Sequence, residues 1–245
     1  MSFDSSYKEY TSVAEKIVKA QKIVERLRKK NPDISPVIIT GRKLTTTWWG
    51  KSWNDNLESY SDYAYRIDRG RSYIRHGAVL DLKLTQGRIS ALVQGSAKKP
   101  YQVNISIQPL SKDNWEAITC ECAGKIESLQ ELISGKFPIA LSELFTAKGK
   151  GLFPTPKEMI IECSCPDWAN MCKHVAATMY GVGARLDDDP SLFFILRNVN
   201  IEDLLSDTIS KKTETLLGKS KVKSRRIIED TDISGMFGIE METGN

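Results

Sequence analysis

The chain has 245 residues, of which 40% are hydrophobic and 27% charged, with a formal net charge of +4. That is enough for one large or two small domains with an ordinary core, and it excludes a disordered or collagen-like chain. No apolar run approaches the roughly 20 residues that span a bilayer, and the weak positive balance permits nucleic-acid binding without requiring it.

From Ser5 or Ser6 to Lys30 the sequence predicts a helix. Val13, Ile17, Ala20, Val24 and Leu27 recur at helical spacing and make one apolar stripe. Lys16, Lys19, Lys22, Arg26, Arg28, Lys29 and Lys30 lie largely outside it, either as a solvated face or as a basic arm for phosphate backbones. Asn31-Pro32 ends the helix. Val37 to Thr40 reads as a short strand, and Thr45 to Trp53 leads into a helix around Asn54 to Tyr60. Trp48, Trp49 and Trp53 read as core, with base stacking as the alternative. The segment from Tyr63 to His76 interleaves arginines with tyrosines. It is either a phosphate-binding surface, with Arg69, Arg71 and Arg75 as contacts, or a solvated loop.

Leu80, Leu82 and Leu84 alternate with polar residues, then Ile89, Ala91 and Val93, then Val103, Ile105 and Ile107. Period-two patterning around the turn at Gln86-Gly87 predicts an antiparallel meander with one buried face. Lys98 and Lys99, in the loop after the second strand, are placed to join the arginines in one basic patch. A helix from Ser111 to about Ser134 follows and carries Cys120 and Cys122, whose sulfurs diverge on a helix and read as ordinary thiols. Ile139 to Ala147 is a further short helix.

Three of the five cysteines and one of the two histidines fall between Cys163 and His174. Met159 to Cys163 has strand composition, and in an extended segment Cys163 and Cys165 point to the same side. Residues two apart on a regular helix diverge, so Cys172 belongs just before a helix and His174 in its first turn. A complete Cys-Cys-Cys-His set is a donor set for one structural zinc. Disulfide pairing is the alternative, and nothing here indicates the secretory setting it needs. The pattern C-x-C, a gap, then C-x-H resembles the SWIM zinc finger. Trp48-Trp-Gly-Lys-Ser-Trp53, Gln94-Gly-Ser96, Pro100-Tyr101 and Gly135-Lys-Phe-Pro138 resemble the bacterial and archaeal SWIM zinc finger proteins. That resemblance implies nucleic-acid transactions and, for some members, association with Swi/Snf-type ATPases.

Gly181-Val-Gly183 reads as the end of the zinc helix, and Asp187 to Pro190 as an aspartate N-cap with proline opening the next helix. From about Ser210 the chain is polar and basic, then closes on an apolar island with Ile233, Met236, Phe237 and Ile239 as candidate partner contacts.

The expectation is an α+β protein: a small antiparallel sheet with packed helices plus a zinc-stapled helical module. Its parts are a basic N-terminal helix (1–35), an α+β domain (36–145), the finger with following helices (146–209) and a basic linker with the island (210–245). One structural zinc is expected on Cys163, Cys165, Cys172 and His174. The expected role is a non-enzymatic, cytoplasmic accessory factor binding DNA or RNA, with an adaptor for a partner such as a Swi/Snf-type ATPase as the alternative. No membrane association is expected.

Overall fold

Period-two burial builds the sheet. In the computed structural model, which describes residues 11–60, 64–122, 139–169 and 171–204, β1 (Val79–Thr85), β2 (Arg88–Val93), β3 (Tyr101–Ile107) and β4 (Met159–Cys163) form one antiparallel sheet in the order β1-β2-β3-β4. Ile89, Ala91, Val93, Val103, Ile105 and Ile107 are buried, as the alternation predicts. Gly87 supplies the positive φ of 64° for the β1–β2 turn. The register slips between Val79 and Asp81, where β1 carries a bulge. Leu80 therefore does not share a face with Leu82. It packs with Ala20, Val24 and Ile34, while Val79 and Leu82 join the main core.

Seven α-helices are present among the described residues: α1 (Val13–Arg28), α2 (Trp48–Glu58), α3 (Ala64–Arg75), α4 (Lys112–Cys122), α5 (Ser142–Thr146), α6 (Lys173–Asp188) and α7 (Leu192–Arg197). Ser12 opens α1 with a full capping box to Glu15. Ala20 and Val24 of its stripe are buried, Ile17 and Leu27 are half-buried, and the lysines face solvent. α6 is the central helix. It contacts all four strands and packs along α2 and α3. The main core takes in residues from Val37 to Leu204, so the finger's strand and helix share it with the sheet.

Val37 to Thr40 is not a strand. The chain here runs along the open side of β1 with two ladder bonds, Val37 N to Val79 O at 3.1 Å and Leu82 N to Ser35 O at 2.9 Å. Pro36 has no N–H to extend the ladder. The Tyr63–His76 segment is not a loop from Ala64 onward but helix α3, which buries Ile67, Gly70 and Ile74. Gly70 is where α3 meets α6: a Cβ there would lie 2.5 Å from the Cβ of Ala176.

Gly181 and Gly183 do not end the zinc helix, which continues to Asp188. A Cβ at Gly183 would approach the Asn54 side chain to 2.6 Å, so glycine admits α2 at that point. Nor is Asp187 an N-cap for α7. Its carboxylate accepts hydrogen bonds from the amides and hydroxyls of Thr46 and Thr47, fixing the entry to α2. Asp189 alone acts toward α7, accepting from Ser191 N at 3.0 Å. Trp49 and Trp53 are core, and their indole N–H groups donate to Leu186 O and Met179 O of α6 at 2.8 and 2.9 Å. The expected helix past Cys122 and the apolar island at Ile233, Met236, Phe237 and Ile239 lie outside the described residues.

Candidate metal centre

Two elements deliver the four donors. β4 ends at Cys163, which pairs with Val103 of β3. Pairing persists one residue further: Ser164 N donates to Gln102 O at 3.0 Å, and Gln102 N donates to Ser164 Oγ at 2.9 Å. This keeps Cys165 on the side of Cys163. The chain then turns at Pro166, where Asp167 Oδ1 accepts from Ala169 N at 3.3 Å and from Arg66 Nη2 at 3.1 Å. Cys172 is the N-cap of α6, in extended conformation, and His174 lies in the first turn.

The donor atoms of Cys163, Cys165, Cys172 and His174 all lie within 4.8 Å of one another. His174 Nδ1 is 3.9 Å from Cys163 Sγ and 3.8 Å from Cys172 Sγ. Tetrahedral zinc, with Zn–S about 2.3 Å and Zn–N about 2.0 Å, puts its donors roughly 3.5–3.8 Å apart. The set therefore fits one zinc bound through Nδ1. Four protein donors fill the tetrahedron and leave no position for a water nucleophile, which makes the site structural.

The electrostatics agree with a cation site. Cys172 is lowered to about 4, first by the hydrogen bond from the Cys163 thiol, with His174 and the first-turn amides assisting against burial. Cys163 is pushed strongly upward by the same contact with Cys172 and by burial. Cys165 is raised by burial. Packed this closely, the sulfurs cannot all ionise unless a cation compensates them. With zinc, three thiolates and a neutral imidazole the cluster carries one net negative charge, offset by the N-terminus of α6.

The His174 ring is held between aromatic walls, with Tyr101 at 4.5 Å and Tyr73 edge-on at 5.5 Å between centroids. A Cβ at Gly95 would stand 2.8 Å from His174 Nε2 and 2.5 Å from the Tyr101 ring, so only glycine fits in the loop beside the histidine. The gap in C-x-C to C-x-H is thus closed by three segments far apart in sequence: α3, the β2–β3 loop and β3.

Cys120 is exposed and Cys122 buried, and neither belongs to the cluster. Arg69 is exposed on α3, and Lys98 and Lys99 are exposed in the β2–β3 loop. Arg71 is engaged with Glu58 at 2.5 Å and Asp68 at 2.9 Å, and its guanidinium lies 5.8 Å from the Tyr180 ring. Arg75 donates to Arg42 O at 3.0 Å.

Beside the zinc histidine the structure forms a cleft of about 680 Å³ between α1, α3 and the β2–β3 loop. Lys16 and Lys19 of α1 line it with Arg69, Ser72 and Tyr73 of α3 and His76 just after it, and Gln94, Gly95 and Ser96 form its far wall. Among the described residues no carboxylate lines it. His76 is shifted down by burial and by the charge of Lys16, which favours the neutral ring. Helical periodicity places Lys16 and Lys19 on one face of α1, but only the fold brings them to Arg69. Their spacing of three on α1 was the available signal.

These features define a zinc-finger protein of α+β architecture. Residues 147–180 match the SWIM zinc finger family, so the finger in this chain is a SWIM zinc finger. A protein of Mycobacterium tuberculosis (strain ATCC 25618 / H37Rv), "Uncharacterized protein Rv2102", is 36% identical over 172 residues, which cover 70% of this chain. The match covers 62% of the length of that relative. No solved structure matches the chain. No helix among the described residues is long and apolar enough to cross a membrane.

Proposed function

We propose that this SWIM-finger protein is a non-enzymatic accessory factor that binds nucleic acid by its phosphates, with the zinc acting as a staple rather than a reagent. One observation carries the reading: among the described residues, every titratable side chain of basic or acidic type lining the cleft beside the zinc histidine is a lysine, an arginine or a histidine. Lys16, Lys19 and Arg69 converge there from two helices, and Lys98 and Lys99 follow Ser96 in the loop that forms the far wall. Lysine and arginine at this density favour a polyanion, and Arg69 adds a planar fork suited to phosphate oxygens. The zinc fixes the start of α6, against which α3 packs. It thereby holds the cationic face of α3 in place.

The test is salt dependence. DNA or RNA affinity should fall steeply as salt rises, because each neutralised phosphate releases counterions. Replacing Lys16, Lys19 and Arg69 together with alanine should weaken binding to all sequences alike. It should flatten the log–log slope by about 0.7 to 0.9 per lost contact. Wild-type affinity and slope in the triple variant would remove the cleft from the account.

A second reading, a protein adaptor for a partner such as a Swi/Snf-type ATPase, draws on β4. It is the outermost strand of the sheet, runs into the finger, and leaves Ile160 63% exposed. A partner strand added there would bury Ile160. Ile160→Lys should then abolish co-purification of the partner while leaving nucleic-acid affinity unchanged.

A further inference from the structure

The zinc loop holds the most exposed large hydrophobic residue described. Trp168 is 83% exposed, and Tyr65 is 54% exposed. An indole left in water forfeits much of the stabilisation that its burial would provide, yet the residues that flank it are held in place. Cys165 and Cys172 pin the loop at both ends through the metal site. Asp167, the residue before the indole, is held by Arg66 at 3.1 Å and by the Ala169 amide at 3.3 Å. The Arg66 side chain is buried, and its guanidinium lies 5.6 Å from the Trp168 ring and 5.5 Å from the Tyr65 ring. One cation thus supports two outward-facing rings.

The placement relative to the cleft is set by α3. Tyr65, Arg69 and Ser72 fall on one helix face at spacings of four and three. Arg69 and Ser72 line the cleft. At 1.5 Å per residue, Tyr65 lies about 6 Å from Arg69 along the helix axis. Tyr65 thus stands one helical turn from Arg69 on the face of α3 that enters the cleft, and Trp168 shares the Arg66 guanidinium with it.

We propose that Trp168 and Tyr65, backed by Arg66, form a base-stacking station that makes single-stranded nucleic acid the ligand of this cleft. The proposal rests on the phosphate-binding reading above and adds strand selectivity to it. Stacked, paired bases in a duplex hide their faces, and presenting one to Trp168 would require unpairing it. A single strand offers a π-face at every nucleotide, and aromatic platforms alongside a basic groove are how such strands are held without sequence preference. Arg66 is paired with Asp167 and serves to hold the two rings; the cations that favour a polyanion over an apolar protein segment are Lys16, Lys19 and Arg69 of the neighbouring cleft.

The experiment uses the zinc-loaded full chain with a fluorescein-labelled oligothymidylate and a duplex of equal length. Fluorescence anisotropy is measured across a salt series for the wild type, Trp168→Ala and Trp168→Phe. Because the side chain is exposed, the variants should keep their zinc and their melting temperature. Trp168→Ala should weaken single-strand binding roughly 5- to 100-fold, and Trp168→Phe should recover most of it. The salt slope should not change, because an indole neutralises no phosphate. Duplex affinity should not change either. Single-strand affinity unaltered by Trp168→Ala, or an equal loss for single strand and duplex, overturns the stacking station while leaving the cleft reading intact. Wild-type protein that binds neither strand overturns both. A Trp168→Ala variant that keeps nucleic-acid affinity but loses a purified protein partner assigns the rings to a protein interface and also overturns the proposal.

Discussion

Replacing Cys172 with alanine removes one zinc donor from a site that joins the last strand of the sheet to the central helix. Structural zinc contributes on the order of 10–16 kcal/mol in finger peptides, against roughly 5–15 kcal/mol for the stability of a whole domain. Here α6 is also held by buried Val175, Met179, Tyr180, Val182 and Leu186, each contributing about 1.5–3 kcal/mol. Those contacts keep the body of the helix in place, so the loss falls on the finger loop and the first turn. Even a third of the peptide value, about 4 kcal/mol, lowers the melting temperature of a domain this size by about 8–16 °C. Cys122→Ala is the control. Cys122 is equally inaccessible, at 0% exposure, but lies outside the metal cluster. Its truncation should cost only about 1–2 kcal/mol.

The assay is thermal melting with and without a chelator, together with zinc content by mass spectrometry. Wild type and Cys122→Ala should each carry one zinc and lose stability on chelation, while Cys172→Ala should start low and no longer respond. Hydrogen exchange should quicken around 164–176 and stay slow in β1 to β3. A wild type indifferent to chelator, or a Cys172→Ala protein still holding one zinc, would refute the reasoning.

Two further predictions concern the frame around the site. Asp187→Ala deprives the amides and hydroxyls of Thr46 and Thr47 of their acceptor. It should cost about 1.5–3 kcal/mol, read as a lower urea midpoint at unchanged zinc content. Arg197 is buried and pairs with Glu158 at 2.5 Å, so Glu158→Gln should destabilise by about 3 kcal/mol near neutral pH. Burial alone would raise the Glu158 carboxyl, but the Thr155 amide and Arg197 outweigh it and leave it depressed. Its stabilisation is therefore full above the ordinary carboxylate range and fades as pH falls below it. Wild type and Glu158→Gln should melt together in acid; a gap that widens on acidification would contradict this.

The meander and the metal set were legible because each is a local pattern: alternation in β2 and β3, and four donors within twelve residues. Cys172 as N-cap and His174 in the first turn followed from elementary helix geometry. What stayed hidden depends on neighbours remote in sequence. α3 reads poorly as a helix because Gly70 interrupts its buried face, yet Ala176 of α6 requires that glycine. Gly181 and Gly183 look like a helix end for a similar reason, since local propensity cannot register the approach of α2 and β1. Alternation puts Leu80 on the face of Leu82, because a bulge leaves no trace in it. Arg71 gave no sign that Glu58 would engage it, and Lys16 and Lys19 gave none that Arg69 would stand opposite.

If nucleic acid sits in the cationic cleft beside the zinc histidine, as proposed, its contacts can be trapped by formaldehyde cross-linking of the zinc-loaded full chain to an oligonucleotide, with peptide mapping by mass spectrometry. Cross-links should concentrate on Lys16, Lys19, Lys98 and Lys99 and disappear at high salt. An even spread over remote exposed lysines such as Lys112, Lys150 and Lys157, or no cross-link at low salt, would contradict the proposal.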